Sequence, residues 1–370
     1  MKDYVKKALK ELESPKKSKI TITLKNKDDY KRNPFRIAYN TCIFKMQQLM
    51  VPSHFKNWLL RTAGLKVGRD ACIPHYIKFD PYFPELIHLG DGCILGGCAD
   101  LVTHEIRGKN LLLGKIIQKP RTLIGGLGII YPGSIVNQNS ILGFFSDLDT
   151  EIPEGELWSG RPAKFWKKMT KDEIDKYFKP SNGKHKEYYK EFYKQVKVFV
   201  KDPEQNYFKM HYDGNRLNAG SDWWRARNIF RIYYGGILAE LGKRMPNNFL
   251  RKLCCRMQGV KLGKNVEIGK GVIFDHLYPD LNTVGDNVKI GDEVYFDNHS
   301  YTISQTVFGK NKVGNNVEIG SHTHIVCGAS IGDNATIEPN SVVQREVPSN
   351  VVWGGTPVAK LIRKKKKGKD

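Results

Sequence analysis

A chain of 370 residues carrying 40% hydrophobic side chains is long for one domain and holds enough apolar matter for two packed cores. Its formal net charge of +22 suits nucleic acid, anionic lipid or phosphate-rich ligands. No zinc-finger spacing, RNP-type aromatic motif or helix-turn-helix pattern accompanies that charge, so no nucleic-acid partner is expected.

Residues 1–62 read as a basic helical lead-in. They begin MKDYVKKALKELESPKK, without the apolar stretch of a secretory leader. No run anywhere reaches the roughly 18 apolar residues that would span a bilayer. The stretch NPFRIAYNTCIFKMQQLMVPSHFKNWLLR mixes aliphatic, aromatic and basic residues at helical spacing. The seven cysteines are odd in number and form no CxxC pair, which predicts free thiols and a cytoplasmic location.

Residues 63–165 keep a different beat. Apolar residues return every six positions at Leu89, Leu95 and Leu101, then at Ile124, Ile130, Val136, Leu142 and Leu148, with Gln118 as a break. Residues 166–258 read as a helical linker and second lead-in. There TKDEIDKYF opens with Thr170 as N-cap, and HKEYYKEFYKQVKVFV is amphipathic. NIFRIYYGGILAELGKRMPNNFLRKLCCR then parallels the first lead-in. Residues 259–362 resume the sixes at Val284, Ile290 and Phe296, then at Val313, Ile319, Ile325, Ile331, Ile337 and Val343. Residues 363–370 form a basic tail.

A six-residue beat fits neither a helix nor a plain strand alternation held over this length. It is the signature of a parallel β-helix, in which each hexapeptide gives one short strand and one corner. Three hexapeptides complete a triangular coil, and the recurring aliphatic residue stacks inside. The helical lead-ins are expected to cover the open ends, whose edges are otherwise unpaired. Contact of their basic, aromatic faces with an anionic membrane surface is the secondary expectation.

The two periodic segments are copies of each other. ELWSGRPAKFW around Trp158 returns as VVWGGTPVAKLIR around Trp353, 195 residues on. The same offset relates RNPFRIAY at Arg32 to RNIFRIYY at Arg227, FDPYFPEL at Phe79 to FDHLYPDL at Phe274, and His104 to His299. The chain is a tandem duplication.

The closing stretch IEPNSVVQREVPSNVVWGGTPVAKLIR, with the sixes before it, resembles the hexapeptide-repeat acyltransferases. Those include the galactoside, maltose, serine and xenobiotic O-acetyltransferases. The resemblance implies a mainly β fold of two left-handed parallel β-helix domains. It further implies a homotrimer with active sites in clefts between neighbouring prisms. The implied reaction moves an acyl group from acetyl-CoA or another acyl-CoA to the hydroxyl of a small-molecule acceptor, a sugar or cell-surface precursor, with no metal.

Such transfer needs a base for the hydroxyl proton, donors for the developing oxyanion and a grip on the acyl donor. His104 and His299 occupy equivalent positions where the sixes are interrupted by an excursion, as the family's catalytic His does. Glu105 stands ready to orient His104, and Asp297 and Asn298 precede His299. For the phosphates of coenzyme A the second copy offers Arg345, Lys360 and Arg363 beside Trp353. The first offers Lys164, Arg161 and Trp158, with Thr150 in place of Arg345. Asp147 and Asp149 stand where the second copy has Val342 and Gln344, so the first donor site is expected to be the weaker. Two alternatives remain. His322 and His324 would be the zinc ligands of an enzyme resembling the γ-class carbonic anhydrases, although the first copy has Leu127 and Ile129 there. A non-catalytic β-helix scaffold is the other.

Overall fold

Six residues per side leave room for a two-residue strand and a corner, and the structure is assembled from such pieces. The computed structural model describes residues 1–179, 185–344, 346–356 and 359–360, with backbone alone at 185, 186 and 360. Two units divide the chain. One comprises Met1–His185, His211–Trp223 and Tyr301–Gln305. The other comprises Lys186–Met210, Trp224–Ser300 and the residues from Thr306 onward.

In each unit short strands stack in parallel into three sheets, the sides of a prism. The first unit stacks Lys66–Val67, Ile87–Leu89, Ile116–Gln118, Ile135–Val136 and Glu151–Ile152 on one side. Its other two sides hold Lys78–Phe79, Asp100–Leu101 and Ile129–Ile130, and the stack that starts at Ile94–Leu95. The second unit repeats the plan. These are the two left-handed parallel β-helices expected, with helical segments before and between them. Leu101, Ile124, Ile130, Leu142 and Leu148 are wholly buried in the first core, as are Phe296, Ile325 and Val343 in the second. Gln118 sits in the ladder at the predicted break, and its Nε2 donates to the Ile94 carbonyl at 2.9 Å. The polar side chain is tolerated there because the prism supplies a carbonyl for it.

Corners require left-handed backbone, and the two copies meet that need differently. The second prism puts Asn265, Asn287, Asn316, Asn334 and Asn350 at φ between 53° and 60°. Asn tolerates this region better than most residues. Each side-chain amide also donates to the next, at 3.1, 3.1, 3.1 and 2.9 Å, forming a ladder up one edge. The first prism turns on Cys98, Arg121, Leu127 and Phe145 among others, which have no such ladder to offer.

Helices close the prisms. Helix α1 (Asp3–Glu13) leads the first unit. Helices α2 (Pro34–Gln48) and α3 (His54–Thr62) follow, and bury Ile43, Phe44, Leu59 and Leu60 against the first coil. Between the periodic segments lie α4 (Lys171–Phe178) and α5 (His185–Lys201). Thr170 caps α4 as expected, in a reciprocal box with Glu173. Helices α6 (Ile229–Arg244) and α7 (Asn248–Gln258) stand before the second prism as α2 and α3 do before the first.

One feature of the lead-ins departs from the all-helical expectation. Strand Lys19–Thr23 leaves α1 and pairs antiparallel with Asn110–Gly114, the far arm of the first excursion. Lys115 N–H then donates to the Ser18 carbonyl at 2.7 Å, and Lys115 Nζ to the Ser14 carbonyl at 2.8 Å. In the second unit Lys310 N–H reaches the Asn206 carbonyl at 2.9 Å, and Lys310 Nζ the Asp202 carbonyl. The strand addition is therefore duplicated, and α5 is the counterpart of α1 rather than a bare linker. Where each excursion rejoins its prism only glycine fits. A Cβ on Gly114 or Gly309 would lie 2.2 Å from the nitrogen of Gly133 or Gly328.

The ladder generates a test. Asn316→Ala removes two amide hydrogen bonds and keeps a strained φ, costing the second unit about 1–2 kcal/mol. Asn316→Gly relieves the strain and should cost less. Thermal denaturation of both variants would check this, and a larger loss for Gly than for Ala would contradict it.

Candidate functional site

The turn FDPYFPEL follows strand Lys78–Phe79 and carries Asp80 into the base of the first excursion. Asp80 Oδ1 accepts from the Tyr82 N–H at 2.9 Å. Its Oδ2 accepts from the Thr103 hydroxyl at 2.6 Å, from the Thr103 N–H at 3.2 Å, and from His104 Nδ1. An ionised carboxylate can only accept, so Nδ1 carries a proton and Nε2 is the ring nitrogen left facing away from Asp80. Tyr82 and Phe83 flank the imidazole with ring centroids 5.3 Å away, and Tyr30 lies at 5.7 Å. Burial pushes the Asp80 carboxyl upward. The His104 hydrogen bond and charge, with the Thr103 hydroxyl and Tyr82 amide, outweigh that and hold it below its ordinary value.

The second unit builds the same pair from FDHLYPDL. Buried Asp275 accepts from the Leu277, Tyr278 and Asn298 N–H groups at 2.7, 3.0 and 2.9 Å, and from His299 Nδ1. Burial opposes charge on both partners, yet the ion pair prevails. His299 is raised to about 9 by the Asp275 charge and hydrogen bond, with Asp297 adding to it. Asp275 is held far below its ordinary value by His299 and the backbone donors.

The second site has an extra layer. Asp297 Oδ1 lies 3.6 Å from His299 Nδ1, and Asp297 Oδ2 lies 3.9 Å from Nε2 of His324. Burial raises the Asp297 carboxyl to about 7 against the pull of His299, and the Asp275 charge pushes the same way. Burial lowers His324 to about 3, so it is neutral across the physiological range. Val102 and Ile129 hold the equivalent positions in the first copy.

Asp80 and Asp275 were not singled out by sequence reasoning, although both stand in the duplicated FD turn. Glu105 does not orient His104. Its carboxylate takes the Arg107 guanidinium at 2.7 and 3.1 Å instead. Trp158, Arg161 and Lys164 sit on the closing hairpin Glu156–Lys168, a separate element from the excursion. Trp158 Nε1 donates to Glu156 at 2.8 Å. Arg161 lies 3.8 Å over the Phe145 ring, donates to the Leu127 carbonyl at 2.7 Å, and meets Asp147 at 3.3 Å. That arginine is held by its own prism, and Asp147 offsets its charge. Lys164 is exposed. Trp353 packs against the second core. Arg345 and Arg363 lie outside the described residues, as does the Lys360 side chain.

The paired-histidine zinc reading does not fit the geometry. His322 is a corner residue at φ 57°, more than half exposed and 3.3 Å from Glu293, whereas His324 begins a strand and is buried. They face different surroundings. Asp275, Asp297 and His299 do bring possible ligand atoms within 4.8 Å of one another, but the ion pair already explains their closeness.

Comparison with known proteins follows the same lines. The family described as bacterial transferase hexapeptide (six repeats) matches residues 312–345. YvoF of Bacillus subtilis (strain 168), provisionally named an acetyltransferase, is 32% identical over 153 residues, which is 40% of this chain and 87% of that protein. The galactoside O-acetyltransferase of Escherichia coli (strain K12) is 32% identical over 111 residues, 26% of this chain and 52% of its own length. The hexapeptide-repeat acetyltransferase VCA0836 of Vibrio cholerae O1 biovar eltor, solved with acetyl coenzyme A, is 23% identical. It covers 38% of this chain and 90% of its own, with a TM-score of 0.32.

The electrostatics of the second site have a definite sign. Its folded pKa being raised, the His299 ion pair adds stability below an ordinary histidine value of about 6.5. That contribution is lost as pH rises through about 9. Asp297→Val, which installs the first copy's residue, should move the His299 titration downward because one of its raising charges is gone. An NMR titration of the labelled histidine ring would read this, and an unmoved titration would show that Asp297 does not act on His299.

Proposed function

Since the chain belongs to the bacterial hexapeptide-repeat transferases and is an acyl-CoA-dependent O-acyltransferase, we propose that both halves carry out the transfer, with His104 and His299 as general bases. The observation that carries this reading is the Asp–His pair, built twice from the same turn and the same excursion. We take 63–165 and 259–362 as the two transferase domains.

The acceptor hydroxyl donates to Nε2 and its oxygen attacks the thioester carbonyl. As the new C–O bond forms, the hydroxyl proton passes to Nε2. Asp80 or Asp275 stabilises the imidazolium through Nδ1–H and fixes the ring's orientation. Backbone N–H groups steady the oxyanion. When the C–S bond breaks, coenzyme A leaves as thiolate and takes the proton back from Nε2. No acyl-enzyme intermediate is required. His299 becomes a free base as pH approaches its raised value of about 9, because the Asp275 and Asp297 charges hold its proton.

The acceptor we assign is a hydroxyl of a sugar or cell-surface precursor, and the donor is acetyl-CoA. Lys164, Arg161 and Trp158 in one half, and Arg345, Lys360, Arg363 and Trp353 in the other, are the side chains we assign to the donor phosphates and adenine. Arg161 must first exchange its contacts with Phe145 and Asp147, which supports a weaker first donor site. We place the enzyme in the cytoplasm as a homotrimer. The cysteines, all free thiols among the described residues, and the acyl-CoA donor support that location.

Single-site variants test the reading. A general base contributes about 10²–10⁴-fold, so His104→Ala combined with His299→Ala should lower turnover by about that factor. Each single variant should keep the share of the other half. The readout is thiol release from acetyl-CoA with a panel of sugar acceptors, and unchanged turnover in the double variant would sink the assignment.

A further inference from the structure

The helical hairpins that close the prisms have a second face. In the first unit Phe35 is 85% exposed, and Tyr39, Met46, Phe55 and Trp58 point outward with it. In the second Phe230 is 81% exposed, with Tyr234, Ile237, Leu241, Phe249 and Leu253. Phe35 and Phe230, Tyr39 and Tyr234, Met46 and Leu241, and Trp58 and Leu253 are related by the 195-residue offset. Single exposed apolar side chains need no explanation, but a continuous stripe along a helix face does. Here the stripe is duplicated with the fold.

The net charge of both hairpins has one sign, although Arg61, Arg231 and Arg251 also bond carbonyls of their own unit. Residues 34–62 include Arg36, Lys45 and Arg61 and no carboxylate. Residues 229–258 include Arg231, Arg251, Lys252 and Arg256. Their one carboxylate, Glu240, is taken by Lys243 and Arg244 at 2.8 Å each. Two copies of the chain apposed through this face would bring like charges together. An anionic bilayer offers hydrocarbon to Phe and Leu, the headgroup boundary to Tyr and Trp, and phosphate to Arg and Lys.

We propose that the outward faces of α2–α3 and of α6–α7 are docking surfaces for an anionic lipid bilayer. Among the described residues no helix is long and apolar enough to cross a membrane, so the hairpins lie on the surface. The hairpins also bond the turns that carry the aspartates. Asn40 on α2 donates to the carbonyl of Pro81, next to Asp80, at 2.8 Å. Arg227, just before α6, holds the Leu277 carbonyl at 2.9 Å and Asp280 at 2.7–2.8 Å. Each hairpin is thus tied to the turn that carries its unit's Asp. The inference goes beyond the proposed reaction and does not depend on it.

Cosedimentation of the full chain with phosphatidylcholine vesicles, with and without phosphatidylglycerol, is the experiment. Binding should require the anionic lipid and weaken with salt. The variant F35S/W58S/F230S/F249S should lose at least roughly tenfold in affinity, since four large apolar groups no longer enter the bilayer. Its thermal transition should fall only slightly, because Phe35, Phe230 and Phe249 are largely exposed and Trp58 gives up mainly its stacking on Phe55. The variant K364S/K365S/K366S/K367S should still bind. Binding that survives the first variant and disappears in the second would assign the contact to the tail and overturn the proposal. Absence of vesicle binding would overturn it too, and an oligomer that dissociates in the first variant by light scattering would make the face an interface between copies. Coenzyme A binding, measured by calorimetry on the same variants, reports on the transferase reading separately.

Discussion

A strand of two residues cannot hold itself in place, and everything in this protein follows from stacking such strands in register. Each coil is fixed only by the hydrogen bonds and apolar contacts it makes with the coils before and after it. Corners must therefore turn at fixed intervals, even where the residue at hand is Cys98, Leu127 or Phe145 and left-handed backbone is costly. The ends of the stack cannot satisfy themselves either. Helical hairpins cover the first coils, and antiparallel closing hairpins finish the last.

That constraint also makes the site. The coil that runs from strand Lys78–Phe79 to Asp100–Leu101 spans 22 residues in its pairing register, as does the coil from Ile273–Phe274 to Tyr295–Phe296. Regular coils in the same prism advance 18 residues, as from Leu123 to Ile141. The extra residues are the turn after Asp80 or Asp275, and the lengthened coil sets the carboxylate under the histidine that opens the excursion. Arg32 with Glu85, and Arg227 with Asp280, brace that turn in the two units. Duplication then allowed the copies to diverge around a fixed pair. Asp297 and His324 surround His299, while Val102 and Ile129 stand in their places in the other half.

The beat of six and the offset of 195 made the β-helix and its duplication legible, because inward residues must be aliphatic wherever coils stack. The histidines were legible for the same reason, since an interruption of the beat marks where the chain leaves the prism. Their aspartates were harder to find. A separation of 24 residues becomes a contact only once the lengthened coil is known, and nearby Glu105 was the more obvious partner. The strand KITIT was missed within a lead-in read as helical, and its partner strand lies some 90 residues away. An edge strand gives no sign of which edge it will complete. The zinc alternative at His322 and His324 fails because the spacing that places two side chains on one face of a strand means nothing when one of them is a corner.

The central claim is that the duplicated pair of aspartate and histidine marks two working transfer sites in one chain. Calorimetric titration of the purified protein with coenzyme A, counting sites per chain, tests it without knowledge of the acceptor. The account predicts two sites, the weaker in the first half where Asp147 faces Arg161. One site per chain would contradict the duplication of function, and none at millimolar ligand with folded protein would contradict the acyl-CoA reaction itself.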